Sequence, residues 1–143
     1  MERIEKQMQF ILEIDKEKQI KRKTLQSNGK DFEDDAQHAW HMAIMTLLLS
    51  EYANEKVDVL KTISMLLIHD LVEIDAGDTY AYDDQGLKTQ NERENLAANR
   101  IFNLLPEDQA KKVLHLWNEF EERRTPEAKF ARVMDNFQPC LLY

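Results

Sequence analysis

The sequence predicts an all-α fold, a bundle of about six helices around one central, buried helix. Only three glycines and three prolines interrupt the 143 residues. Apolar residues recur at intervals of three and four over long stretches, which is the helical period. A composition of 43% hydrophobic and 32% charged residues is typical of a globular protein. We therefore expect no strands, and we expect residues 1–143 to form a single domain.

The first helix is expected from about Glu2 to Lys21, with basic residues at its end, where the helix dipole favours them. Its apolar stripe consists of Ile4, Met8, Ile11 and Ile14. A polar loop at 26–31 follows, and Asp34 or Asp35 can cap a second helix that continues to about Ala53. The core-facing stripe of that helix is expected to be Trp40, Ala43, Ile44, Leu47 and Leu48.

The third helix, from Val57 to Ala76, is the predicted centre of the bundle. Its segment Ile63 to Ile68 is apolar nearly all round, as in a helix that is buried on every side. Gly77 is expected to end it. The polar stretch from Thr79 to Thr89 is long enough to form a loop over a site.

Three more helices complete the predicted bundle. The fourth runs from about Lys88 to Leu104, and the fifth from Glu107 to Arg123. Thr125 is expected to cap the sixth, and Pro139 to kink or end it. The apolar residues at 141–143 suggest docking on another surface or a further helix beyond them.

The composition excludes several classes of function. No apolar run approaches the roughly 18 residues needed to span a bilayer, and the acidic start does not resemble a signal peptide, so we expect a cytoplasmic protein. A net charge of −8 without a basic cluster argues against long nucleic acid as a partner. The single cysteine, Cys140, excludes an intrachain disulfide.

The residues that suggest chemistry begin with the doublet His69-Asp70, at the end of the most apolar stretch. Burying such charges is costly without a cation or strong pairing. His38 and Asp135 also lie beside core-facing segments, so the four residues would draw on three helices, as metal sites in helical bundles do. The spacing alone leaves a second interpretation open, in which the histidines only form hydrogen bonds within the core.

A family resemblance favours the metal site. The ordered set His38, His69-Asp70 and Asp135, with Glu73 and Gly77-Asp78 after the doublet, resembles the HD-domain metal-dependent phosphohydrolases. Within them it is most similar to the branch that contains the 5′-deoxynucleotidases, and the likeness extends from roughly Glu13 to the C-terminus. Further matching segments are His38-Ala39-Trp40, Leu104-Leu105-Pro106-Glu107-Asp108, Leu116-Trp117-Asn118-Glu119-Phe120-Glu121 and Pro126-Glu127-Ala128-Lys129-Phe130.

The resemblance implies a role for each residue of the set. It implies that one divalent cation is bound by His38, His69, Asp70 and Asp135. The cation would be manganese, cobalt, zinc, iron or magnesium, and this ligand set does not choose among them. Glu73 would activate or orient the attacking water and Asp78 would assist. Arg22 matches by position an arginine that holds the substrate phosphate, which suits its forked guanidinium.

The expected function is hydrolysis of a nucleoside 5′-monophosphate, with a small-molecule nucleotide as substrate and a homodimer as a possible assembly. Two residues depart from the pattern of this branch. Gln37 stands where many members have glutamate, and Lys23 stands where the better-known deoxynucleotidase has an aromatic residue. They bear on the orientation of His38 and on selectivity for deoxyribose.

The alternatives are hydrolysis of a nucleoside triphosphate or guanosine polyphosphate, and a non-catalytic module that binds metal or nucleotide.

Overall fold

The computed structural model of the chain describes residues 1–77 and 84–142, except for the side chains of residues 84–88. The elements in chain order are α1 (Arg3–Ile14), β1 (Lys21–Leu25), β2 (Phe32–Asp34), α2 (Asp35–Leu49), α3 (Val59–His69), α4 (Glu73–Ala76), α5 (Asp84–Phe102), α6 (Glu107–Glu122) and α7 (Pro126–Leu141). A 3₁₀ turn at Asp70–Val72 joins α3 to α4 in one helical path. With that path counted once, the described residues form six helices, and the all-α prediction is confirmed.

The expectation that strands are absent is wrong. β1 and β2 form an antiparallel hairpin, with Lys21 opposite Asp34 and Leu25 opposite Phe32. Gly29 in the connecting turn has a φ of 70°, which favours glycine, and the Asn28 side chain accepts hydrogen bonds from the backbone N–H groups of Lys30 and Asp31. Asn-Gly between two short segments is a known hairpin signal that the helical interpretation of Lys21 overrode.

The hairpin also changes the first helix. α1 ends at Ile14, seven residues before the predicted end, and a 3₁₀ turn at Asp15–Gln19 leads to β1. The basic residues therefore lie on a strand and do not cap a helix. Ile14 packs in the core beside Phe10, but Ile4, Met8 and Ile11 are exposed. The expected apolar stripe is thus mostly on the surface.

α2 begins where the sequence predicts. Asp34 is its N-cap and accepts a hydrogen bond from the Gln37 N–H, while the Gln37 side chain accepts one from the Asp34 N–H, a complete capping box. The predicted core stripe is wrong in phase, because Trp40, Ile44, Leu47 and Leu48 are exposed. The buried residues of α2 are Asp35, His38, Ala39, Met42, Met45 and Thr46.

α3 is central, as expected, and packs against α2, α6 and α7. Its residues Met65 and Leu66 belong to one core cluster with Met42, Phe120 and Met134. Just after it, Leu71 and Val72 belong to a second cluster, which includes Ile101, Phe102 and Trp117. The His69-Asp70 doublet therefore lies where the chain passes from one core cluster to the other.

The last helices start close to the predicted positions. α5 begins at Asp84, before the predicted start at Lys88, so it includes the second half of the predicted loop at 79–89. Residues 79–83 of that loop lie outside the described residues. The Thr125 side chain caps α7 by accepting a hydrogen bond from the Ala128 N–H. Pro139 does not end α7, which continues to Leu141. Within residues 1–77 and 84–142, no helix has both the length and the apolar character needed to cross a bilayer.

Candidate metal centre

Two imidazoles and a carboxylate from three helices meet in the interior. His38 of α2 and His69 of α3 are both buried, with 0% and 6% of their surface exposed. The Asp135 Oδ1 atom of α7 lies 2.9 Å from His38 Nε2 and 3.4 Å from His69 Nε2. One donor atom from each of the three lies within 4.8 Å of the others, close enough to share one cation.

Asp70 brings a fourth donor to this group. It is the first residue of the 3₁₀ turn after α3, and its Oδ1 atom lies 3.2 Å from His69 Nε2. Its Oδ2 atom lies 3.9 Å from His38 Nε2. The four residues predicted as ligands, His38, His69, Asp70 and Asp135, are therefore brought together, and we refer to them as the metal cluster.

The donor atoms of the metal cluster are better placed to coordinate a cation than to form hydrogen bonds with one another. His69 Nε2 and Asp70 Oδ2 are buried and have no hydrogen-bond partner of acceptable geometry among the described residues. Such buried polar atoms are uncommon in native proteins and call for an explanation. A set of imidazole nitrogens and carboxylate oxygens is the ordinary ligand set of divalent transition metals.

The outer nitrogen of each imidazole is held by a hydrogen bond. His69 Nδ1 lies 2.7 Å from the backbone carbonyl oxygen of Leu66, so it must donate to that oxygen. His38 Nδ1 lies 2.7 Å from Oε1 of Gln138. These contacts turn both Nε2 atoms towards Asp135, which is the arrangement that metal-binding histidines usually show.

The electrostatics of the metal cluster favour charged side chains. Burial lowers the pKa of His69, but the neighbouring carboxylates of Asp70 and Asp135 outweigh it and raise that pKa to about 10. Burial acts to raise the pKa of Asp135, yet the hydrogen bond with His38 and the positive charge of the nearby His69 hold that pKa well below its usual range. A proton on His69 therefore occupies the position that a cation would take, and the two must compete.

A second group of acids adjoins the metal cluster through Asp70. Oxygen atoms of Asp35, Asp70 and Glu73 lie within 4.8 Å of one another. Glu73 is the first residue of α4, three positions after Asp70, so the helical path places both carboxylates on the same side. The predicted water-activating acid is thus next to the predicted ligands.

Arg22 lies beside these acids. The hairpin places its side chain with Nη1 at 3.5 Å from Asp35 Oδ1 and 3.7 Å from Asp70 Oδ2. Its Nε atom is 3.6 Å from Glu33 Oε1. The positive charge of the Arg22 guanidinium therefore partly balances the negative charge of these acids. Arg22 also borders the open space of the site.

That open space is a cavity of about 210 Å³ with a polar lining. Its lining residues are Arg22, His69, Asp70, Val72, Glu73, Gln90, Glu94, Phe120, Glu121, Arg123, Arg132 and Asp135. Arg123 ends α6 with a φ of 58°, an uncommon conformation for a residue other than glycine. The Arg132 guanidinium stacks 4.4 Å from the centre of the Phe120 ring. The cavity thus combines acids with three arginines, a setting that can accept a phosphate beside a cation.

Glu17 is a buried acid that no sequence pattern marks. It lies in the 3₁₀ turn before β1 and is 8% exposed. Burial, followed by the negative charges of Asp70 and Asp35, raises its pKa to about 8. At neutral pH this side chain is therefore mostly neutral.

Two further acids of the stretch 69–78 are Asp75 and Asp78. Asp78 lies outside the described residues, as do Tyr80 and Tyr82. Asp75 is exposed and forms an ion pair with Arg100. The sequence interpretation assigned no function to Asp75, which agrees with its position.

Sequence reasoning missed Arg132 and Gln138, both near Asp135. One helical signal could have found them, because Arg132, Asp135 and Gln138 are spaced by three residues along α7 and share one face. No comparable signal marks Glu17, whose neighbours in the site are more than fifteen residues away in the chain.

Comparisons with known proteins agree with this geometry. The model of the family described as HD domain matches residues 14–143. The crystal structure of a protein described as a predicted metal-dependent phosphohydrolase, from Magnetospirillum magnetotacticum MS-1, superposes with a TM-score of 0.91. The two chains are 50% identical, and the alignment covers 97% of this chain and 69% of that one.

Curated relatives are named as nucleotidases. The 5′-deoxynucleotidase HDDC2 of Homo sapiens is 30% identical over 104 residues, which are 73% of this chain and 50% of the relative. The protein of the same name from Dictyostelium discoideum is 29% identical over 140 residues, covering 94% of this chain and 74% of the relative. The chain spans about half the length of the human relative that it matches.

Proposed function

Since the chain belongs to the HD domain family, we propose that it is a divalent-metal-dependent phosphohydrolase that releases phosphate from nucleoside or deoxynucleoside 5′-monophosphates. The observation that carries this proposal is the metal cluster beside a polar cavity. Two imidazoles and the carboxylate of Asp135 converge there, with Asp70 beside them, and two of the buried donor atoms have no hydrogen-bond partner among the described residues. The names of the nucleotidase relatives support the choice of substrate.

In this proposal, His38, His69, Asp70 and Asp135 bind one divalent cation. A bound cation would supply positive charge that stabilises the reacting phosphate and lowers the pKa of water. The residues of the chain do the rest: the hydrogen bonds at both Nδ1 atoms orient the imidazoles, and the core cluster around Met65 and Leu66 holds α2, α3 and α7 in place.

Glu73 is proposed to accept a proton from the attacking water. Its carboxylate borders the cavity and lies beside Asp70, so a water between the cation and the substrate would be within its reach. General acid–base catalysis of this kind contributes about 10²–10⁴-fold in rate. The assisting role of Asp78 stays a prediction, because Asp78 lies outside the described residues.

Arg22 is proposed to bind the phosphate. A guanidinium presents two parallel N–H donors that match two phosphate oxygens, and Arg22 faces the cavity from the side of Asp35 and Asp70. When a substrate phosphate enters, Arg22 can exchange its long contacts to those carboxylates for shorter ones to the phosphate. Arg123 and Arg132 add further positive charge around the same cavity.

The experiment that tests the proposal is a product screen. The purified chain is incubated with Mn²⁺ or Co²⁺ and a panel of nucleoside monophosphates, triphosphates and guanosine polyphosphates, and phosphate and pyrophosphate are measured separately. We expect inorganic phosphate from the monophosphates, and about 10³-fold less of it from the Asp135→Asn variant. Pyrophosphate as the product would favour the alternative HD hydrolases and contradict the monophosphatase proposal.

The non-catalytic alternative makes a different prediction. A module that only binds metal or nucleotide would bind a monophosphate without turnover, and Glu73→Ala would leave both metal content and product formation unchanged. The presence of Glu73 and Arg22 at the cavity favours the enzyme. The cytoplasmic location, the homodimer, a single domain over residues 1–143 and the exclusion of nucleic acid and membrane as partners stay predictions.

A further inference from the structure

Gln138 is a fully buried polar residue next to the metal cluster, with 0% of its surface exposed. It lies on α7 one turn after Asp135. Its amide has three polar neighbours: His38 Nδ1 at 2.7 Å from Oε1, Glu33 Oε2 at 2.8 Å from Nε2, and His41 Nδ1 at 3.0 Å from Nε2. The side chain therefore uses its oxygen and both N–H groups.

The carboxylate of Glu33 determines which way this amide faces. An ionised carboxylate only accepts hydrogen bonds, so the NH₂ group of Gln138 must point to Glu33. The reversed amide would place Oε1 against a carboxylate oxygen. Arg22 lies on the other side of Glu33, with Nε at 3.6 Å from Oε1.

The amide orientation then determines the proton on His38. With Oε1 of Gln138 facing His38, the ring can only donate from Nδ1, because two acceptors at 2.7 Å would repel each other. Nε2, on the opposite side of the ring, then faces the metal cluster, 2.9 Å from Asp135 Oδ1, and is the nitrogen available to a cation. The same reasoning makes His41 Nδ1 an acceptor, so His41 carries its ring proton on Nε2.

Gln37 does not perform this task, although it precedes His38 in the sequence. Its side-chain oxygen accepts the Asp34 N–H in the capping box, and its side chain is exposed. The orienting contact to His38 therefore comes from a residue 100 positions later in the chain.

We propose that Gln138, held by Glu33, is a positioning residue that keeps the His38 proton on Nδ1 and so presents Nε2 to the divalent cation. This inference rests on the proposed metal site, and it adds a residue that is not among the predicted site residues. Outer contacts of this kind alter metal affinity by about 10–100-fold when they are removed.

The first test locates the ring proton by NMR. The chain has four histidines, so correlations between ring nitrogens and ring carbon-bound protons in ¹⁵N-labelled protein can be resolved. We expect a protonated Nδ1 on His38 in the metal-free protein and in the protein loaded with diamagnetic Zn²⁺. An unprotonated Nδ1 on His38 in the wild-type protein would overturn the proposal, and this measurement needs no variant.

The second test measures cation affinity by isothermal titration with Mn²⁺. Gln138→Met keeps a similar volume but removes the amide, and we expect affinity to fall by about 10–100-fold. Gln138→Glu alone places two carboxylates together and should also weaken binding. The exchanged pair Glu33→Gln with Gln138→Glu restores one donor and one acceptor in reversed order, and we expect it to recover most of the affinity.

The matched control is Gln109→Met. Gln109 also accepts a side-chain hydrogen bond, from Gln7 at 2.8 Å, but it does not line the cavity. We expect wild-type affinity for this variant. Unchanged affinity in a folded Gln138→Met protein would overturn the role of Gln138. Absence of cation binding in the wild-type protein would instead contradict the proposed function, so the two failures are distinguishable.

Discussion

Asp70 and Asp75 lie five positions apart on one helical path, but the groups of charged residues to which they belong have opposite surroundings. Asp70 belongs to the metal cluster, where it is buried and its Oδ2 atom has no hydrogen-bond partner among the described residues. Asp75 is exposed, and Arg100 contacts both of its oxygens, at 2.5 and 2.9 Å. Arg100 also donates to Glu13 Oε1 at 2.7 Å. We refer to Glu13, Asp75 and Arg100 as the surface ion-pair group.

The difference separates a binding site from an ordinary charged surface. In the surface ion-pair group every charge has a partner and contacts solvent, so its formation is complete without a ligand. In the metal cluster, the donors converge in the interior and compete for protons, and the proposed function places a divalent cation among them. Residue type alone does not distinguish the two groups, because both contain carboxylates on helices.

The largest effect is expected from Asp135→Asn, which removes a negative charge from the metal cluster while keeping the shape of the side chain. We expect loss of tight cation binding and a fall in activity of about 10³-fold, because a cation contributes several kcal/mol to transition-state stabilisation. Elemental analysis and phosphate release measure the two effects. Full activity with wild-type metal content would contradict the ligand set.

Glu73→Gln should separate chemistry from metal binding. The amide cannot accept a proton from water, so we expect kcat to fall by about 10²-fold or more. Because Glu73 is not one of the four proposed ligands, metal content should stay at the wild-type level. Activity within a few-fold of wild type would remove Glu73 from the mechanism.

Glu17→Gln tests the buried acid near the metal cluster in the metal-free protein. The pKa of Glu17 is raised from 4.5 to about 8 by burial and by the nearby carboxylates, so its contribution to stability is complete below pH 4.5 and lost as the pH rises through 8. The wild-type free energy of unfolding should therefore decline across this interval because of Glu17.

Glutamine cannot ionise, so the variant lacks this part of the decline. We expect the free energy of unfolding of Glu17→Gln, taken relative to that of the wild type, to increase by about 1–2 kcal/mol between pH 5 and pH 8.5. Urea denaturation at each pH measures it. A difference between the two proteins that does not change with pH would contradict the assigned pKa.

The smallest effect is expected in the surface ion-pair group. Asp75→Asn weakens an exposed ion pair, and such pairs contribute about 0.2–1 kcal/mol to stability. We expect a decrease of that size in the free energy of unfolding, with unchanged metal content and activity. A loss of cation binding in this variant would break the distinction between the two groups.

Much of the fold followed from the sequence, for identifiable reasons. The scarcity of glycine and proline predicted the helices, and the Thr125-Pro126 signal located the start of α7 correctly. The phase of α2 was not predictable from periodicity, because the helix carries apolar residues on both sides: Met42 and Met45 are buried while Ile44 and Leu48 are exposed. The hairpin was missed because its strands are short and polar.

The candidate site was predictable only in part. The order of His38, His69-Asp70 and Asp135 along the chain resembles a family pattern, and the structure brings these residues together. Gln138 and Glu17 act through contacts between distant segments, such as the one that joins Gln138 to Glu33 across 105 positions. No local pattern in a single sequence encodes contacts of that kind.

The most direct test of the central claim is a titration of the metal-free chain with Mn²⁺ at pH 7, repeated in buffers with different ionisation enthalpies. The pKa of His69, raised to about 10 by Asp70 and Asp135 against the effect of burial, means that this ring is protonated before the cation binds. We predict saturation at one cation per chain with release of about one proton or more per cation. Absence of saturable binding, or binding that releases no proton, would contradict the account.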